Sequence, residues 1–96
     1  MSDLRVMHDE NGTKGRYTVV HSTGESVLTY ELVPEKRLVA EHTQVARGYE
    51  GDEIGLLMLR ELIADARNRG LQITSLCPFV SAQLRVHPEW ADVFSA

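Results

Sequence analysis

Apolar and polar residues alternate through most of the first half of the chain, then switch to a helical repeat in one later stretch. Leu4-Arg5-Val6-Met7-His8 reads as a short strand. In the segment Asp9 to Gly15 that follows, Asn11-Gly12 is a hairpin-turn dipeptide, because both residues tolerate positive φ. Arg16-Tyr17-Thr18-Val19-Val20-His21 has the β-branched and aromatic content of a second strand, and Ser22 to Glu25 turns it back into Ser26 to Leu32. There Leu28, Tyr30 and Leu32 share one face, with Thr29 and Glu31 on the other. Pro34-Glu35-Lys36 allows one more bend, and Leu38 to Val45 makes a fourth strand, so this half predicts an antiparallel meander.

The helical repeat covers Ile54 to Arg69. Ile54, Leu57, Met58, Leu62, Ile63 and Ala66 form a broad apolar stripe, while Arg60, Asp65, Arg67 and Asn68 fall mostly on the solvated side. Arg67 and Arg69 suit the negative end of the helix dipole, and Gly70 suits a left-handed residue just past the last turn. Leu71 to Leu76 alternates as a fifth strand, and Pro78 has no N–H to give a ladder, so pairing should fail or splay there. A short helix over Val80 to Val86 follows. Trp90 and Phe94, four apart in the tail, should clamp the chain end onto the core. The fold class is α+β (α/β), with the meander followed by a β-α-β unit and a short C-terminal helix.

Composition narrows the function classes. Ninety-six residues, a quarter of them charged, suit one compact domain spanning residues 1–96, without low-complexity segments. The longest apolar run is far below the roughly 20 residues of a membrane span, and Met1 to Arg5 lacks a signal-peptide core, so the expected location is cytoplasmic, with no membrane partner. A net charge of −4, with ten basic residues scattered among fourteen acids, argues against nucleic acid. The single cysteine excludes an internal disulfide. His8 and His21 have no companions at metal spacing, so no metal is expected.

The centre of the chain is a strand, a glycine-bearing loop from Gly48 to Gly55, a helix and a return strand. Such an arrangement holds phosphorylated carriers, because backbone N–H groups at a helix start attract anions. His42-Thr43-x-Val45, then Gly51-x-x-Ile54-Gly55, then Cys77-Pro78-Phe79-Val80 and finally His87-Pro88 resemble the small single-domain subgroup of the GNAT superfamily of N-acetyltransferases over about residues 16–94. The resemblance implies a mixed sheet splayed between its fourth and fifth strands, with acetyl-CoA lying in the V. Its pyrophosphate would rest on Gly51, Asp52, Glu53, Ile54, Gly55 and Leu56, its pantetheine arm would pair near Val45, and its thioester would point toward Cys77.

The coenzyme loop departs from the superfamily pattern of Gln or Arg, two residues, Gly, one residue, then Gly or Ala. Glu50 stands at the basic or amide position and Glu53 at the first glycine; only Gly51 and Gly55 survive. Glu50, Asp52 and Glu53 would bring as many as three carboxylates to a pyrophosphate. Each like-charge pair at about 4 Å costs about 1 kcal/mol in water and more where partly buried, which implies weakened CoA binding. Alternatively these acids serve the helix: Asp52 is a favourable N-cap and Glu53 a favourable first-turn acid.

Acetyl transfer to an amine needs positioning, an oxyanion donor and a proton for the leaving thiolate. The resemblance offers a backbone N–H near Val45 as that donor. Cys77 could protonate the thiolate or accept the acyl group, or be a small buried filler. His42 has the unperturbed pKa of a general base, yet strand parity aligns it with Leu38 and Ala40 and so equally suggests a buried, hydrogen-bonded ring. His87, before Pro88, suits a helix end, or with Arg85 could neutralise coenzyme phosphate; Tyr49 suits packing over the helix start or a phenolic acid. The acidic surface favours a small cationic or lysine-type amine acceptor. Homodimerisation would add buried area to so small a core. The competing function is a non-catalytic interaction module that keeps the scaffold and converts the coenzyme loop into a well-capped helix start.

Overall fold

The computed structural model describes residues 5–94. Leu4, the first residue of the expected opening strand, and Met1 to Leu4 of the segment read for a signal peptide lie outside them. The elements are β1 (Val6–Asn11), β2 (Lys14–His21), β3 (Gly24–Val33), β4 (Arg37–Gln44), α1 (Glu53–Arg69), β5 (Gln72–Ser75), α2 (Pro78–Val86) and a 3-10 helix, Pro88–Val93. The strands form one sheet in the order β1-β2-β3-β4-β5, antiparallel except for the parallel β4–β5 pair. This is the mixed α+β architecture the residue pattern predicts.

The first hairpin is tighter than the sequence suggests. Asn11 pairs with Lys14, leaving only Gly12 and Thr13 to turn, with Gly12 at φ 67°. Strand β5 is shorter than expected because Pro78 acts as the first residue of α2, where its missing N–H costs nothing, and Leu76 is left exposed. At the end of α1, Gly70 takes the left-handed conformation (φ 67°, ψ 34°) and its N–H meets the Ala66 and Arg67 carbonyls.

One face of the sheet packs on α1. Val19, Leu28, Leu38 and Ala40 meet Met58, Leu59, Leu62, Ile63 and Ala66, all at 2 % exposure or less, so the helical stripe is centred on Leu59 as much as on its neighbours. Trp90 and Val93 are buried against the same cluster, and Phe94 bridges to Ile73, which closes the chain end onto the core. Arg67 fixes that end to α1: its Nε and one terminal nitrogen hold both Asp92 carboxylate oxygens at 3.1 and 2.8 Å.

At the C-terminal half of α1 a polar cluster stitches the helix to the first hairpin. The His8 ring stacks on Tyr17, with centroids 4.3 Å apart, and its Nε2 meets the Tyr30 hydroxyl at 2.5 Å. Tyr17 donates to Asp65 at 3.1 Å, Tyr30 donates to Glu10 at 2.6 Å, and Arg69 clasps Glu10 through two nitrogens at 2.8 and 3.2 Å. Burial and the neighbouring carboxylates push both phenols well above the usual tyrosine range. The Arg69 and Tyr30 hydrogen bonds hold the Glu10 carboxyl below its ordinary value.

A group with a lowered folded pKa stabilises the protein above its unfolded pKa and loses that effect as pH falls through the folded one. Glu10→Gln is therefore expected to cost about 1 kcal/mol near neutral pH, after allowance for solvent screening of a part-exposed pair, or roughly 4–8 °C in Tm. The gap between wild type and variant should close as pH falls below about 4, and thermal melts across that range check it.

Candidate functional site

Strands β4 and β5 are neighbours over four residues only. Their ladder runs from Arg37↔Gln72 to Ala40↔Ser75 and ends with the Leu76 N–H on the Ala40 carbonyl at 2.9 Å. Beyond that point β4 continues to Gln44 while the other chain turns into α2, so Glu41 to Gln44 form an edge on that side. The expected end of pairing between the two strands is present at this place.

The same stretch holds a β-bulge. Tyr30 pairs with Ala40 and Thr29 with His42, leaving Glu41 as an extra residue on β4. One added residue exchanges the faces of everything after it. Thr43, opposite buried Leu28, turns to the α1 side, and its Oγ1 lies 3.2 Å from the buried Cys77 Sγ, spanning the gap on that face. His42, opposite Thr29, turns to the outer face and is exposed. A buried His42 sharing a face with Leu38 and Ala40 is thus overturned, because that parity assumed an unbroken ladder. His42 and Cys77 are not brought together. Thr43 belongs to the His42-Thr43-x-Val45 motif, but the sequence assigns it no role; its contact with Cys77 emerges only from the fold.

Hydroxyls fix the Cys77 backbone. Ser75 Oγ donates to the Cys77 carbonyl at 3.0 Å and accepts from its N–H at 3.3 Å, and Ser81 Oγ lies 2.8 Å from Ser75 Oγ. The thiol therefore sits between a threonine hydroxyl and a positioned turn, 2 % exposed.

The loop leading to α1 is held by the β2–β3 hairpin. Half-buried Val45 packs against the core, and the Ala46 N–H donates to Ser26 Oγ at 2.9 Å. Ser26 Oγ also meets His21 Nε2 at 2.8 Å, and the His21 ring lies against Tyr49, centroids 3.9 Å apart. Thr23 Oγ1 donates to the Arg47 carbonyl at 2.6 Å. Tyr49 thus packs beside the loop it belongs to.

Gly51 takes φ 110°, which a side chain would resist, and the chain then enters α1. Asp52 stands at the N-cap position, but its backbone is already helical (φ −92°, ψ −13°) and its side chain makes no cap hydrogen bond. An N-cap side chain reaches its partners from an extended backbone, so the expected carboxylate cap does not form. The first helical bond runs from the Leu56 N–H to the Asp52 carbonyl at 2.8 Å, which leaves the N–H groups of Glu53, Ile54 and Gly55 without intrahelical partners. Of the three acids, Glu50 is turned onto its own loop, where the Gly48 N–H donates to both its oxygens at 3.0 and 3.2 Å. Asp52 and Glu53 are exposed.

Ile54 and Gly55 are buried and Leu56 is half-buried. A Cβ on Gly55 would come within 2.6 Å of the Phe79 ring, so this glycine lets α2 seat directly on the first turn of α1. Arg85 is exposed near the end of α2. His87 stacks on Trp90 at 4.1 Å, and its Nδ1 lies 2.9 Å from Glu89, which draws the Glu89 carboxyl below its ordinary value. That ring is engaged with the C-terminal 3-10 helix. No hydrogen bond or ion pair joins Arg85 or His87 to the Gly51–Leu56 turn among the described residues.

The arrangement offers an uncapped helix turn for an anion, a strand edge where β4 outruns β5, and a thiol–hydroxyl pair where their pairing ends. Among the described residues no group of three or more histidine, cysteine or acidic side chains could hold a metal ion, and no helix is long and apolar enough to cross a membrane.

Residues 16–93 match the family profile described as GCN5-related N-acetyl-transferase. Among solved structures, the chain is similar to the NMR solution structure of a GCN5-like protein from Staphylococcus aureus. That match has a TM-score of 0.75 and 22 % identity, covering 100 % of this chain and 92 % of the other, a likeness of fold. A comparison with curated proteins returns no significant match.

Gly55→Ala is expected to lower stability by about 1–3 kcal/mol, since the Phe79 ring must move from a closely packed site. Adding Phe79→Leu should recover part of that loss, and denaturant midpoints of the two variants check it.

Proposed function

Since this chain belongs to the GCN5-related N-acetyltransferase family, we propose that it transfers acetyl from acetyl-CoA to a primary amine in a ternary complex. The observation that carries the proposal is that the first turn of α1 is uncapped while β4 runs on past Ala40 without a β5 partner. Acetyl-CoA, when bound, supplies an acetyl group whose carbon–sulfur bond is exchanged for an amide.

The residues present suit that group. The N–H groups of Glu53, Ile54 and Gly55 have no intrahelical partners and would hold a pyrophosphate, with Gly51 adding no side chain to the turn. Val45 lies just past the last paired residue of β4, along the edge that would take the pantetheine arm. The Cys77 thiol, oriented by Thr43, is the proton donor for the released sulfur, and the Ser75 hydroxyl keeps its backbone in register. His42, exposed on the other face of the same edge, is the base that takes a proton from the acceptor ammonium. Coenzyme binding is weakened by Asp52 and Glu53 rather than by Glu50, whose charge is held by the Gly48 N–H.

Two substitutions test this reading through acetyl-CoA turnover and calorimetric titration. Glu53→Gln should tighten CoA binding about fivefold, the worth of removing one like-charge contact of about 1 kcal/mol. Cys77→Ala should lower kcat about a hundredfold with little change in the KM for acetyl-CoA, the size expected for a lost general acid. Unchanged CoA affinity in the first variant contradicts the account of the loop, and unchanged kcat in the second removes Cys77 from the chemistry. Absence of both CoA binding and turnover in the wild type would favour the non-catalytic module.

A further inference from the structure

The outer face of the sheet, opposite α1, carries a groove of about 340 Å³ bordered by Asp9, Asn11, Lys14, Arg16, Thr29 and Glu41. Three of the ladder's partnerships make it directional. Asp9 pairs with Arg16, Arg16 with Thr29, and Thr29 with His42, so these four residues form one row across β1, β2, β3 and β4. The row ends at the bulge, where β4 loses its β5 neighbour.

The charges along it are unevenly committed. The Lys14 ammonium is shared by Glu31 at 3.1 Å and Glu41 at 3.2 Å, which raises its pKa and leaves that end of the groove with two carboxylates against one cation. Arg16 is exposed and makes no ion pair or hydrogen bond among the described residues, even though Asp9 stands directly across the ladder. The groove therefore offers a free guanidinium at one end. At the other it offers the carboxylate-rich corner at Glu41, and the exposed His42, next along β4 and opposite Thr29, lies just past that corner. Methylene stems of Lys14 and Arg16 form its walls.

Resting on the acetyl-transfer reading above, we infer that this groove is the acceptor subsite and that it takes a primary amine carrying a carboxylate at the far end of an aliphatic spacer. The ammonium sits at Glu41 and His42, next to the open β4 edge, and gives one proton to the His42 ring, which presents the free amine. The carboxylate binds the Arg16 guanidinium in the two-pronged manner that pair favours. Arg16 and His42 are two strand spacings apart, about 10 Å, and a spacer of about five methylenes covers that span once side-chain reach is included. Asp9 beside Arg16 and the acids around Lys14 repel a dianion, so a singly charged carboxylate is selected over a phosphate.

The test compares ε-aminocaproate with n-hexylamine, which differ only in the terminal carboxylate, on the full chain. In acetyl-CoA turnover, ε-aminocaproate should have the lower KM. Arg16→Gln should raise that KM about tenfold while leaving the KM for n-hexylamine and the turnover at saturation unchanged, as loss of one charge-assisted pair predicts. Asp9→Asn, which removes the competing acid without touching Arg16, should lower the same KM. In a separate titration without coenzyme, ε-aminocaproate should shift the backbone amides of Arg16, Thr29 and His42. Shifts there without any turnover would support the groove and overturn acetyl transfer. Turnover with equal use of the two amines, or with a preference that Arg16→Gln leaves intact, would overturn the groove.

Discussion

At Glu41 the β3–β4 ladder takes one more residue from β4 than from β3, and His42 and Thr43, which follow on β4, inherit their direction from that step. Without it, His42 would point at α1 and Thr43 at solvent. With it, Thr43 meets the Cys77 thiol and His42 joins a row of polar residues on the outer face. The ladder to β5 ends one residue earlier, at Ala40, so the reversal of faces and the opening of the strand edge coincide. The two faces of one edge are thereby given different chemistry: a thiol–hydroxyl pair inside and an imidazole with carboxylates outside.

That edge has to be held still, and the fold does so from two ends. Near the cleft, the Ser26 hydroxyl joins His21 to the Ala46 N–H, while Thr23 fixes the Arg47 carbonyl, so the β2–β3 hairpin sets the path of the loop that enters α1. At the far end of α1, the Glu10–Arg69 pair and the two buried phenols tie the helix to the first hairpin. Close packing of Phe79 on Gly55 adds the third fixed point, placing α2 on the first turn of α1. The acids of the loop are then arranged by backbone geometry. Glu50 folds back on Gly48, and Asp52, already helical, leaves the first turn uncapped.

Much of this was legible from residue pattern. The meander, the long helix, its left-handed stop at Gly70 and the parting of the last two strands follow from alternation, helical period, glycine and proline chemistry, and the motif resemblance supplied the family. The bulge was not legible, because nothing in Ala40-Glu41-His42-Thr43 marks where an extra residue enters; it is decided by pairing with β3. Hence strand parity puts His42 on the wrong face, and Thr43, although part of the quoted motif, receives no role from sequence alone. The Asp52 cap failed for a related reason, since a good capping residue caps only from an extended backbone. The alignment of Asp9, Arg16 and Lys14 across the outer face depends on register between four strands, which local sequence does not carry.

The central claim is that a coenzyme anion docks where α1 begins, against the unpaired edge of β4. Backbone amide shifts during a titration with CoA test it most directly. The account predicts shifts concentrated at Val45 and Gly51 to Leu56, saturating at about millimolar concentration, as befits a site with two nearby carboxylates. A flat response at those amides up to about 5 mM, or shifts confined to other parts of the chain, would contradict it.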